Sequence, residues 1–399
     1  ADIQDHRPAV RPADEVVVGV WVAENRSPLE AANVPNLDRI AAEGRTGLIR
    51  TVPPGREPAA ESAAASLLGL DAPPGGLARG PLEALGIGIP PEKDQLALRF
   101  NLVHLFTDYQ RIILADHTAD IRSDAEARPF VDALEEDLGD DEFRFVHVGE
   151  YRGVMLWKGG GADLELTPPH EILGAEVADA MPKGEAGRKL HQVYNNAQML
   201  FNIHPRNDER KRSGRTAVNS IWASGAGGPA PITRAFRERW GVRSGILSRA
   251  AVLKGLAGAA GMDVVEPPGA DSSPGDWADA VSDYLRTGDV TYVHCDAGDR
   301  AAHRLDPAGK VEAIEQFDSL AGAVADRLKV LGDHRLAVLA DHRTSPVDGK
   351  HAAAPVPVAV RGTGVEADRP GHYDERLLVR GSIRLPDGAD LLPFLMGRN

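Results

Sequence analysis

The stretch VHCDAGDRAAH, residues 293–303, follows GDVTY (288–292), a run that reads as the start of a buried strand. It puts Asp299 and His303 four residues apart just past the strand's end. One helical turn brings this carboxylate and imidazole onto a single face, a common way to hold two ligands of a transition metal. Two ligands do not make a site, so the rest of the chain has to supply the others.

The same alternation of apolar strand and amphipathic helix recurs along most of the sequence. VVVGVWV (16–22) leads to NLDRIAAEG (36–44), where Leu37, Ile40 and Ala41 fit a helix closed by Gly44. AVNSIWA (217–223) leads to ITRAFRERW, and SGILSRAAVLKGLAGAAG runs from a short strand into a helix. DVTYVHC leads to KVEAIEQFDSLAGAVADRLKVL, and RLAVLADH is followed by PVPVAV. Continuous apolar strands separated by helices predict an α/β fold, a doubly wound parallel sheet covered on both faces. Between 96 and 158 the pattern changes. Four strand-like runs crowd around one helix at roughly 122–138, and a long helix follows near 184–202. We therefore expect a core of residues 1–95 and 213–399, interrupted by a smaller α+β substrate-binding domain at 96–212.

In doubly wound sheets functional groups gather at the carboxyl ends of strands. RLAVLADHRTSPVDGKH (335–351) places Asp341 and His342 at such an end, with His351 nine residues later. Asp299, His303, Asp341, His342 and His351 form one C-terminal set of carboxylate and imidazole ligands. That set suits zinc, manganese or iron better than calcium.

Bulk composition narrows the partners. With 45 basic and 59 acidic residues the net charge is −14, which argues against a nucleic-acid or anionic-membrane surface. No window reads as a transmembrane helix or signal peptide. The lone Cys295 fits a reducing, cytoplasmic location. Oligomeric state is left open.

At this point the chain resembles a known family, the archaeal-type, cofactor-independent (2,3-bisphosphoglycerate-independent) phosphoglycerate mutases of the alkaline phosphatase superfamily. The matching stretches are SPLEAANVPNLDRIAAEGRTGLI (27–49), PPGREP (53–58) with SLLGLD (66–71), and RGPLEALGIGI (79–89). RFN (99–101), YRGV (151–154), HPRNDER (204–210), VLKGLAGAAGMDVV (252–265), DRAAH, KVEAIEQFD and ADHRTSPV continue the match in order. The resemblance implies an alkaline-phosphatase-like core, an inserted domain, and an active site in the cleft between them. It implies one metal on Asp299, His303 and His351, and a second on Asp341, His342, an aspartate ending the first strand and a nucleophilic serine. Arg152, Arg210 and Lys254 stand at positions that face the substrate, a small anion.

Two of those positions depart from the family pattern. Val18-Gly19 stands where the family has Asp-Gly, and Ala60 stands where it has its serine. A methyl group cannot attack phosphorus. Three readings follow. The first is a metalloenzyme with altered chemistry and one metal per chain: a hydrolase, lyase or transferase acting on a phosphorylated, phosphonylated or carboxylated acid, as in phosphonate or other natural-product biosynthesis. In it His342, Asp341 and His170 serve as general acids or bases. The second is a non-catalytic pseudoenzyme that binds metal and anion. The third is a cofactor-independent phosphoglycerate mutase, for which Ser62 is a nearby substitute hydroxyl.

Overall fold

The computed structural model of the chain describes residues 26–73, 76–161, 164–229, 232–368, 371–376 and 381–398. The strand expected at 16–22, with Val18, lies outside them. Among the described residues the architecture is α/β with separate parallel and antiparallel sheets, in agreement with the expected class.

Three short strands, Ser244–Ser248, Asp263–Val265 and Val290–His294, lie parallel, with Ser244–Ser248 in the middle. The helices Ala251–Ala259 and Pro274–Leu285 make the crossovers between them, as parallel pairing requires. A second sheet has the order Arg335–Leu339, Val356–Gly362, Arg45–Ile49, Ile383–Leu385. Here the parallel expectation fails in part, because Val356–Gly362 runs antiparallel to both of its neighbours. The cause is the connection. Residues 340–355 return without a crossover helix, so the chain re-enters from the end it left. That return is also what brings His351 back to the carboxyl end of Arg335–Leu339.

The inserted sheet is built on one long strand, Gln95–Asp108, which pairs antiparallel with Arg111–Asp116, Arg152–Lys158 and Ser220–Gly227. Phe143–Gly149 adds an outer strand. The segment 217–223, assigned from sequence to the parallel core, thus belongs to this sheet. Its hydrophobic run fits either sheet; only the partner strand decides. The boundary drawn at 212 falls inside the unit that the strand pairing defines. Both expected helices are present, at Asp124–Leu138 and Gly184–Asn202. They cover one face with Phe130, Leu134, Leu190 and Phe201 packed on Leu98, Phe100 and Trp157. Alternation along the long strand then turns Arg99 and Asn101 to the opposite face, toward the core. No helix among the described residues is long and apolar enough to cross a membrane.

The two units meet through the helices Arg79–Gly86 and Ala251–Ala259, whose backbones touch. A Cβ on Gly255 would stand 1.8 Å from the Leu82 carbonyl oxygen, and one on Gly86 would stand 1.9 Å from that of Ala251. Neither neighbour is a movable side chain. Gly255→Ala is therefore expected to destabilise the protein by about 2–3 kcal/mol, the upper part of the range for overpacking. Thermal unfolding checks this; an unchanged Tm would show that the helices separate at little cost.

Candidate active site

The helix Ala297–His303 starts directly after the strand Val290–His294 and carries Asp299 and His303 one turn apart. Their side chains meet His351, which arrives on the returning segment His351–Ala352. His303 Nε2 lies 3.4 Å from Asp299 Oδ2, His351 Nε2 lies 3.2 Å from Asp299 Oδ1, and the two Nε2 atoms are 3.0 Å apart. One oxygen and two nitrogens of the three residues all fall within 4.8 Å of one another. His351 Nδ1 donates to the Pro58 carbonyl at 2.6 Å, which places the ring's lone pair on Nε2, facing the other two groups. Thr344 Oγ1 donates to Asp299 Oδ1 at 2.7 Å and steadies the carboxylate. Two imidazole nitrogens converging on a carboxylate, with His351 and Asp299 oriented from behind, fit a divalent transition metal.

Electrostatics agrees. Burial disfavours the Asp299 carboxylate, but hydrogen bonds from His303 and His351 outweigh it and hold the group well below its ordinary range. Asp341 behaves alike: burial is overcome by His342 and His294, and the carboxylate stays ionised. His294 Nε2 lies 3.2 Å from Asp341 Oδ2, while Ser248 Oγ stands 3.3 Å from His294 Nδ1. His342 Nε2 lies 3.5 Å from the same Asp341 oxygen, and its ring centroid is 4.3 Å from that of His351. The Asp341–His342 pair therefore adjoins the triad without joining it.

The inserted domain faces this centre with His170 and Arg152. His170 sits in the short turn Pro169–Ile172, its ring 5.4 Å from that of His351 and 6.0 Å from that of His303. Burial, then the neighbouring imidazoles of His351 and His303, push its pKa down to about 3, so the ring is neutral at physiological pH. Arg152 lines the same cleft, with Arg79 and Arg99. These three guanidinium groups share one deeply buried carboxylate, Glu83. Arg79 Nε bonds it at 3.0 Å and Arg99 approaches at 3.7 Å. Burial raises the pKa of Glu83, but the attraction of Arg99, Arg79 and Arg152 prevails and lowers it. Ala60 opens the helix Ala60–Leu67 on the cleft wall and presents a methyl group there.

The structure does not bring two of the expected substrate contacts, Arg210 and Lys254, to the cleft. Arg210 spends its guanidinium inside the inserted domain, on the Thr216 carbonyl at 2.7 Å, the Ala119 carbonyl, and Glu126 at 3.2 Å. It pins the helix Pro205–Arg212 to the loop at 119 and does not line the cleft. Lys254 pairs with Glu266 at 2.8 Å and does not line the cleft. Arg79 and Arg99, which the sequence reading had not singled out, line the cleft instead. The available signal was the alternation Arg99–Phe100–Asn101, which puts two polar side chains on the face opposite a buried aromatic.

A carboxylate and two imidazoles that could hold a divalent ion lie at the carboxyl ends of α/β strands, faced by Arg79 from a core helix and by Arg99 and Arg152 from the inserted sheet; this is the donor set of a metal-dependent protein that handles small anions. Comparison with known proteins sharpens that class. The profile described as 2,3-bisphosphoglycerate-independent phosphoglycerate mutase matches residues 41–207. The protein of that name from Methanosarcina barkeri is 34% identical over 376 residues, covering 92% of this chain and 93% of its own. Among solved structures, a Pyrococcus horikoshii protein is 27% identical with a TM-score of 0.69, covering 93% of this chain and 91% of that one. The cofactor-independent phosphoglycerate mutase of Thermoplasma acidophilum is 26% identical with a TM-score of 0.51, covering 94% of each chain. The chain belongs to the 2,3-bisphosphoglycerate-independent phosphoglycerate mutase family, and its fold is alkaline-phosphatase-like.

These relatives overturn the reading of altered chemistry in a specialised pathway. Proteins named as mutases match at 32–34% identity over more than nine-tenths of the chain, as in Geobacter sulfurreducens and Methanosarcina acetivorans. Nothing in that set points to phosphonate metabolism or to a pseudoenzyme.

Proposed function

We propose that the protein is a metal-dependent phosphoglycerate mutase that moves a phosphoryl group between the 2- and 3-hydroxyls of glycerate without a bisphosphate cofactor. The observation that carries the reading is the pairing, in one cleft, of the Asp299–His303–His351 centre with Arg79, Arg99 and Arg152. It is supported by end-to-end similarity to proteins named for this reaction. We assign the triad one zinc, manganese or iron ion per chain, which when bound supplies Lewis-acid charge to phosphoryl oxygens. The guanidinium groups hold the phosphate and carboxylate of a substrate that carries both. Asp341, fixed by His294 and His342, is a carboxylate–imidazole group suited to moving the hydroxyl protons. We retain the inserted unit beginning at 96 as the substrate-binding domain, and a cytoplasmic location as the one suited to this metabolite.

The test is direct. Protein supplied with manganese and 3-phosphoglycerate, free of 2,3-bisphosphoglycerate, is followed by phosphorus NMR. Appearance of 2-phosphoglycerate at about 1 s⁻¹ or faster, within the ordinary range of enzymes, is the expected result. Unchanged substrate with each of the three metals would reject the reading.

A further inference from the structure

Two vicinal oxygens of one glycerate cannot both lie in line with a single phosphorus, yet phosphoryl transfer places the attacking and leaving oxygens roughly in line. A mutase without a bisphosphate cofactor therefore needs a side chain to carry the phosphoryl group between the two positions. Residue 60 offers only a methyl group. Ser62, on the same helix, does not line the cleft, and Thr344 already donates its hydroxyl to Asp299.

We propose that His170, paired with Glu57, is the phosphoryl carrier. This rests on the mutase reading above. Three features single out His170 from the other cleft imidazoles. It stands beside the triad rings without belonging to the triad's converging ligand atoms. Neither of its ring nitrogens has a hydrogen-bond partner among the described residues, so one is open to a substrate. The Glu57 carboxylate lies 3.9 Å from its Nε2, close enough to accept the ring proton after a small adjustment. Burial and the nearby carboxylates of Glu61 and Glu171 raise the proton affinity of Glu57, which favours that acceptance. By contrast, His117 has its Nδ1 buried and without a hydrogen-bond partner, so that nitrogen is closed to a substrate. His294 is committed to Ser248 and Asp341.

The step balances without an outside reagent. The Nδ1 lone pair of the neutral ring forms the P–N bond as the ester P–O bond breaks. The Nε2 proton passes to Glu57 and from there to the departing alkoxide, which leaves Glu57 ionised for the return step. The glycerate then presents its other hydroxyl. That hydroxyl loses its proton toward Glu57 and the ring, the P–O bond forms, the P–N bond breaks, and neutral His170 returns.

The experiment is a rapid acid or alkali quench of the manganese-loaded protein with 3-phosphoglycerate labelled with ³²P. A protein-bound label that is acid-labile and alkali-stable, the signature of phosphohistidine, is expected. His170→Gln should lose the label and at least about a thousandfold in turnover, as removal of a covalent carrier does. Its metal content should equal that of the unaltered protein. Glu57→Gln should keep the metal and slow labelling. An acid-stable, alkali-labile ester, or a label that persists in His170→Gln, would overturn the inference while leaving the mutase reading intact. Loss of an ion from His170→Gln would also overturn it, because Glu57, His170 and Glu171 would then be metal ligands. A native protein without any turnover would instead reject the mutase reading, and this inference with it.

Discussion

Asp299→Asn empties the metal centre and abolishes turnover. The expectation follows from what this carboxylate does between its neighbours. Its two oxygens lie 3.4 and 3.2 Å from the Nε2 atoms of His303 and His351, and it is the triad's one formal negative charge. The amide has nearly the same shape but is neutral, and it turns an NH₂ donor toward one of those nitrogens. A divalent ion would then be held by two neutral imidazoles and a weak carbonyl oxygen. The set oriented by Thr344 and Pro58 loses its charge match, although its geometry survives. Metal content by elemental analysis should fall from about one ion per chain to below about a tenth of that. kcat/KM should drop by at least about a thousandfold, since several kcal/mol of charge stabilisation at phosphorus is lost. Circular dichroism should remain native, because the fold's core clusters lie away from this residue. Full metal content in a folded Asp299→Asn protein would show that the triad is not the ion's main seat.

How much of this was legible in the sequence depends on the range of the interaction concerned. Asp299 and His303 could be read because their relation is local: a helical spacing of four next to a strand end. His351 could be added because it follows a second strand end in the same half of the chain. Arg210 could not be judged this way. A basic residue in a basic run looks like an anion contact, and only tertiary packing reveals that Arg210 is turned inward onto Glu126 and two carbonyl groups. Lys254 was lost to Glu266, twelve residues on, for the same reason. Strand pairing was equally hidden. The segment 217–223 has a pattern that satisfies either sheet, and its register with Gln95–Asp108 spans more than a hundred residues. The methyl group of Ala60 was legible too, but its consequence is narrower than a change of reaction. It excludes one atom as phosphoryl carrier, whereas Asp299, His303 and His351 and the guanidinium groups of Arg79, Arg99 and Arg152 still gather in one cleft.

Arg99→Ala raises the KM for 3-phosphoglycerate by about ten- to a hundredfold. A charge-assisted hydrogen bond to an anion contributes roughly 1.5–3 kcal/mol, and that range sets the factor. Arg99 is the member of the cluster best placed to give this effect. Its Nε donates to Asn101 Oδ1 at 3.2 Å, and Asn101 is in turn anchored to the His117 carbonyl at 2.9 Å, so the fork is held in one orientation. Burial and the neighbouring Arg79 both disfavour its charge, so the guanidinium gains most when an anion arrives. The fold should tolerate the change, because Glu83 keeps its closer partner, Arg79, at 3.0 Å. Arg99→Lys should recover only part of the affinity, since a point charge on a flexible stem cannot reproduce a planar fork. Steady-state kinetics, with the metal content of each variant measured alongside, gives the answer. An unchanged KM in a folded, metal-loaded Arg99→Ala protein would remove this residue from the anion site and leave Arg79 and Arg152 to form it.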